Sequence, residues 1–270
     1  MKRLAKIGLC FLALVIVASC LIDRHAVSAL FSESAPVLAS DSGERSVTLK
    51  KGDVVAFGRY LQEPILWDVV DVTDNGAVLV SHNVLCFKAY CAGDDTFPLG
   101  RASAEASTLS QWLNSEATNV SYTAAPDADH VYQGINPYAD EPGFLCDDNF
   151  GKAEKACLCS AVFIPTKAQF SAYYTKENRV KTPTASAVEA DRSPFLRLTG
   201  SGVWYWTSTE NHQSRMSVVA ATGYGTFYKS PAYDGTMGVV PAVKIQQTVL
   251  CADAGSGTKA APYIVKGVSA

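Results

Sequence analysis

Charge is scarce in this sequence. Of its 270 residues, 23 are basic and 26 acidic, 18% of the chain, where an ordinary soluble domain carries about 25%. With 48% hydrophobic residues the chain is still rich enough to bury a core, which excludes a disordered protein. A net charge of −3 leaves no basic stripe, so no nucleic-acid partner is expected. No period of 20–50 residues repeats, which excludes solenoids and propellers.

Chemical signatures are missing as well. There is no H-E-x-x-H and no phosphate-cradling Gly loop. Gly200-Ser201-Gly202 is a turn, not the G-x-S-x-G elbow of a hydrolase. The C-x2-C pairs of structural zinc are absent, although His82 stands four residues before Cys86. Cys157-Leu158-Cys159 is C-x-C rather than a C-x-x-C redox pair. His25 lies in or beside the N-terminal segment, His82 ends a predicted strand, and His130 and His212 sit in loops. Asp94-Asp95 and Asp147-Asp148 read as loop charge, since a glycosidase pair is defined by spacing across the fold. No metal, cofactor or catalytic residue is expected.

What is present begins with an address. Lys2, Arg3 and Lys6 precede an uncharged run from Ile7 to Ile22, the pattern of an export signal. Val17-Ala18-Ser19-Cys20 resembles a bacterial lipobox, which would make Cys20 the lipidated N-terminus. Val27-Ser28-Ala29 resembles an ordinary cleavage site, and an uncleaved anchor is the third reading, although sixteen residues fall short of the about 20 that a span needs. Residues 1–29 are therefore assigned to the signal and 30–45, small and polar, to a linker. The expected location is extracytoplasmic, as a membrane lipoprotein or a secreted protein. Cleavage before Cys20 lowers the basic residues from 23 to 20 and the net charge from −3 to −6.

Six cysteines follow residue 30: Cys86, Cys91, Cys146, Cys157, Cys159 and Cys251. An even number in an exported chain predicts disulfides, with 15 connectivities open. Cys86–Cys91 would close a small loop, Cys146 would pair with Cys157 or Cys159, and Cys251 would take the one left over.

The apolar pattern predicts strands at Ser46–Lys50, Asp53–Tyr60, Pro64–Val72 and Ala77–Ser81, with Asp74-Asn75-Gly76 as a hairpin turn. Leu109, Trp112 and Leu113 share one face of a helix over Thr108–Glu116, capped by Ser107 or Thr108. Residues 121–156 read as a long polar excursion. A short strand at Ala161–Ile164 leads to a helix over Lys167–Thr175, opened by Pro165-Thr166 and burying Phe170. Residues 176–200 read as loop. Val203–Ser208, Arg215–Ala221, Gly225–Tyr228 and Val239–Ile245 are further strands. The expected fold is α+β, a β-rich single domain over 46–247 with two or more helices, followed by a Gly/Ser tail at 248–270.

The succession VVAFGRYLQEPILWDVVDV, AVLVSHNVL, STLSQWLN, VFIPTKAQF, WYWTSTE and GVVPAVKI, over about residues 50–246, resembles a family of bacterial surface domains of unknown function. Its terminal half is more distantly similar to formylglycine-generating-enzyme and C-type-lectin-like folds. The resemblance implies a lectin-like architecture with a loop-built surface, and no reaction. Two positions depart from the pattern: Thr207 and Val240 stand where Arg is usual. No Cys lies between Trp204 and Ile245, and the W-N-D motif of calcium-dependent lectins is missing.

Trp204, Tyr205, Trp206, Tyr224, Phe227, Tyr228 and Tyr233 crowd into thirty residues. Alternation puts Trp204 and Trp206 on one strand face and Tyr205 on the other. Tyr224, Tyr228 and Tyr233 stand among loop glycines, where tyrosine offers contact area at low entropic cost. With Glu210 and Asn211 they form the expected ligand-binding set. The function expected is a non-enzymatic binding module for a surface ligand, glycan or protein, held to the membrane by its lipid. The alternatives are an extracytoplasmic enzyme, with His130 or His212 beside Asp147, Asp148 or Glu210, and a purely structural envelope protein.

Overall fold

The computed structural model describes residues 43–91, 107–122, 138, 140–191, 198–211 and 217–269. The signal, Cys20 and almost all of the linker lie outside the described residues, as do Asp94, Asp95, His130 and His212. The fold is α+β and β-rich.

One sheet has seven strands, in the order β1 (Glu44–Thr48), β13 (Thr248–Ala252), β14 (Tyr263–Val268), β2 (Val54–Tyr60), β3 (Glu63–Thr73), β4 (Gly76–Ser81) and β12 (Ala242–Ile245). A second has five: β10 (Phe227–Pro231), β9 (Ser217–Ala221), β8 (Tyr205–Glu210), β11 (Gly238–Val239) and β5 (Cys86–Phe87). A short hairpin pairs β6 (Leu198–Thr199) with β7 (Gly202–Val203). Pairing is antiparallel except for β14 on β2 and β11 on β8. The expected opening meander is β2–β3–β4. In β3, Ile65, Trp67 and Val69 alternate inward, and Trp67 Nε1 donates to the Phe57 carbonyl at 2.7 Å. In the Asp74–Gly76 turn the positive φ falls on Gly76, at 123°. A Cβ there would lie 2.3 Å from the Ile245 carbonyl oxygen, so only glycine fits.

Four helices are described. Helix α1 (Thr108–Leu113) is capped by Ser107, whose Oγ accepts from Ser110 N, and it buries Leu109, Trp112 and Leu113. Helix α3 (Lys167–Tyr173) begins with a capping box between Thr166 and Gln169 and buries Phe170. The sequence pattern left α2 (Lys152–Lys155) and α4 (Ala185–Ala190) in loops. Neither carries an apolar stripe at i, i+3, i+4: α2 buries no residue, and α4 buries only the adjacent Ala187 and Val188. Ala161–Ile164 is not a strand, and only Phe163 bridges to Ala242.

Residues 248–268, read as a Gly/Ser tail, form β13 and β14 within the large sheet. The apolar core contains Trp67, Trp112, Trp206, Tyr90, Phe144 and Phe150 in one cluster. A second cluster gathers Val70, Val80, Phe87, Phe170, Tyr205 and Val240.

The expected disulfide support is corrected. Cys86, Cys91, Cys146, Cys157, Cys159 and Cys251 are all free thiols, and only Cys159 is exposed. Several have separate engagements. The Cys86 thiol meets the Tyr60 hydroxyl and that of Cys91 the backbone of Thr108. Cys157 Sγ is 3.5 Å from the Ala153 carbonyl oxygen. The buried five fill core space as small apolar side chains do.

Candidate functional site

The strand register sorts the aromatic residues. Tyr228 stands opposite Ala220, and Ala220 opposite Trp206. Phe227, Ala221 and Tyr205 form the adjacent row, which points to the other face. Trp206 and Tyr205 are fully buried in different clusters, as the alternation predicted. Trp204 is half-buried against the Trp206 side, so the two tryptophans share a face. Tyr228 sits at the rim of that face, edge-on to Trp204 with ring centroids 6.1 Å apart. Phe227 is covered by cations instead: Lys167 Nζ is 5.6 Å and the Arg179 guanidinium 4.9 Å from its ring centre.

Tyr224 occupies the β9–β10 turn and lies across Gly200, where a Cβ would come within 2.7 Å of its ring. Tyr224 and Tyr228 are 61% and 60% exposed, and Tyr233 37%. Gly200 and Trp204 thus tie Tyr224 and Tyr228 to one short stretch of chain. The other expected residues lie elsewhere. Tyr233 follows the far end of β10, and Glu210 aligns with Val218, which pairs with Ser230 at that same far end. Asn211 is half-buried and donates through Nδ2 to Ser217 Oγ at 2.7 Å. Tyr224, Tyr228 and Tyr233 therefore follow the outermost strand β10 and its turns, whereas Glu210 and Asn211 stand at the end of β8, the central strand of the five.

The positions where the resembled family carries Arg are internal here. Thr207 is buried with Oγ1 donating to the Val219 carbonyl at 2.7 Å, and Val240 is buried in the second cluster.

Two polar clusters have no local mark in the sequence. In the first, the Lys88 ammonium is buried against Glu141 and lies 4.6 Å and 4.7 Å from the ring centres of Trp112 and Tyr138. Tyr60 Oη donates to the second Glu141 oxygen at 2.9 Å. Burial, reinforced by Glu141, pushes the Tyr60 hydroxyl up and keeps it a donor. Enclosed by the main core, this cluster braces the fold.

The second cluster opens to solvent. Asp68 Oδ1 meets His82 Nδ1 at 2.6 Å, and Oδ2 accepts from Tyr174 Oη at 2.8 Å and Lys181 Nζ at 3.0 Å. Lys181 Nζ also donates to the Ser81 carbonyl. Burial opposes the charge on Asp68, but His82, Lys181 and Tyr174 together outweigh it and hold the carboxyl well below the usual range. Burial lowers Lys181 despite Asp68 and raises Tyr174. The elements explain the convergence. Asp68 lies on β3, His82 follows β4, Tyr174 ends α3, and Lys181 precedes α4. Of these only His82 stands out in the sequence, and the three residues that meet Asp68 lie 14, 106 and 113 positions from it. Asp147, by contrast, is an exposed partner of Lys155. Among the described residues no group of His, Cys, Asp and Glu has the arrangement of a metal site.

Comparison of the chain with protein-family models, characterised proteins and solved structures returned no match.

Proposed function

We propose that the protein is an exported, lipid-anchored surface module that binds a glycan or protein ligand through its C-terminal aromatic edge and catalyses nothing there. The observation that carries this reading is selective exposure. Among the described residues, Tyr224, Tyr228 and Tyr233 are the only large aromatic side chains left exposed. Each belongs to β10 or to a turn beside it, while Trp206 and Tyr205 beneath are locked in the core. A rigid aromatic sheet with tyrosines at its rim offers contact area whose ordering has already been met by folding. The bulk of the fold, β-rich with short helices between two β blocks, is compatible with the lectin-like architecture of the resembled domains. The lipobox ending in Cys20 supports attachment to the outer face of a membrane.

The test is the triple variant Tyr224→Ala/Tyr228→Ala/Tyr233→Ala, displayed beside the wild type on glycan and protein arrays. Loss of every hit by a variant that still unfolds cooperatively supports the surface, and unchanged hits refute it. Mass spectrometry of the mature chain tests the anchor: a diacylated Cys20 supports it, and an unmodified start at Leu30 excludes it.

A further inference from the structure

The Asp68–His82 cluster forms the floor of a cleft of about 450 Å³, within the ~300–1,000 Å³ of small-molecule sites. Lys51, Tyr173, Glu177 and Asn178 stand around it. We propose that this cleft binds a neutral saccharide, with His82 Nε2 as the central contact to a ligand hydroxyl. The site shares no residue with the aromatic edge.

Three observations lead there. First, His82 is aimed. Its Nδ1 is taken by Asp68, its backbone N–H is taken by the Leu66 carbonyl, and no described residue bonds Nε2. An imidazole held at one nitrogen by a carboxylate presents the other in a fixed direction. Secondly, the holder is itself held: Asp68 accepts from His82 after β4, Tyr174 at the end of α3 and Lys181 before α4, so little ordering remains for a ligand to impose. Thirdly, the charges balance. On the lining, Lys51 and Lys181 are offset by Asp68 and Glu177. A compact anion or cation therefore gains no net attraction.

What the cleft offers is direction. The Lys51 ammonium donates, the Glu177 carboxylate accepts, and the Asn178 amide and Tyr173 hydroxyl do both. A ligand with several adjacent hydroxyls, each donor and acceptor at once, satisfies such a mixed rim. An ion does not. The tyrosine rings supply the apolar surface that the C–H face of a sugar ring needs.

The test uses the chain from Leu30 onward with 15N-histidine. Ring signals of His82 are followed during titration with glucose, galactose, mannose, rhamnose and N-acetylglucosamine, each to 20 mM, and separately with sodium acetate and methylammonium chloride. His82→Gln assigns the signal. The expected result is a saturable shift of the His82 ring with at least one sugar and with neither ion. Asn178→Ala and Lys51→Ala should weaken that sugar at least fivefold. Both residues are exposed, so the folded state survives their loss. The triple tyrosine variant should titrate like the wild type. Silence of His82 with all five sugars, a response to an ion instead, or unchanged affinity in both exposed variants would overturn the proposal.

Discussion

The hydroxyl of Tyr174 and the ammonium of Lys181 lie 3.3 Å apart because both donate to one oxygen of Asp68. The lysine is almost wholly buried, so the carboxylate opposite it is its only described counter-ion. Removing one partner of such a pair strands the other, at about 3–5 kcal/mol. Asp68→Asn should destabilise the protein by that order, read as a lower urea midpoint with an unchanged slope.

The same residue gives an acid limb. The folded Asp68 carboxyl ionises below its unfolded range, which centres near pH ~3.9. Between the two values the unfolded chain binds the extra proton, so this contribution is whole above about pH 5 and fades as pH falls below about 4. The gap in unfolding free energy between wild type and Asp68→Asn should narrow as pH falls below about 4. A gap that widened on acidification would contradict the sign.

Thiol reactivity should split one against five. Burial raises Cys86 to about 12 and Cys91, Cys157 and Cys251 to about 11, and the thiolate is the reactive form. With a chain starting at Leu30, kept reduced, Ellman's reagent should find one fast equivalent, Cys159. Five more should appear on denaturation. Two or more fast equivalents in the native protein would show an opened core.

Two glycines at positive φ should respond unequally to alanine. Gly225 (φ 69°) would place a Cβ 1.8 Å from the Lys176 carbonyl oxygen, whereas Gly52 (φ 96°) has open space around it. Both bear the left-handed cost of about 1–2 kcal/mol, and Gly225 adds a backbone clash. Gly225→Ala should therefore cost at least about 1 kcal/mol more than Gly52→Ala in paired urea melts. It should also disturb the turn that carries Tyr224.

Much of the fold is legible in the sequence where a local period carries it. The β2–β3–β4 meander is marked by alternation and a turn, and α1 and α3 by caps and one apolar stripe. The alternation at Trp204–Trp206 is equally local. The Asp68 cluster has no such mark. A polar residue in a strand, a histidine after a turn and a lysine in a loop are each ordinary alone. Their meeting depends on strand order and on where α3 ends, which no window of sequence contains. Cysteine pairing failed for a related reason: an even count describes a compartment and not a distance. The burial of Cys86 beside Tyr60 and of Cys91 beside Thr108 is decided by the core.

The position of β14 in the large sheet governs the order in which the fold can be completed. It lies between β13 and β2, with β1 and β13 on one side and β2, β3, β4 and β12 on the other. Its parallel ladder with β2 joins residues separated by some two hundred positions. Synthesis delivers β2 some two hundred residues before β14, so the two halves of the sheet stay unjoined until residue 268 has emerged. A nascent chain stalled before Tyr263 would expose the raw edges of β2 and β13, and the sheet closes by insertion of β14 between them rather than by growing strand by strand.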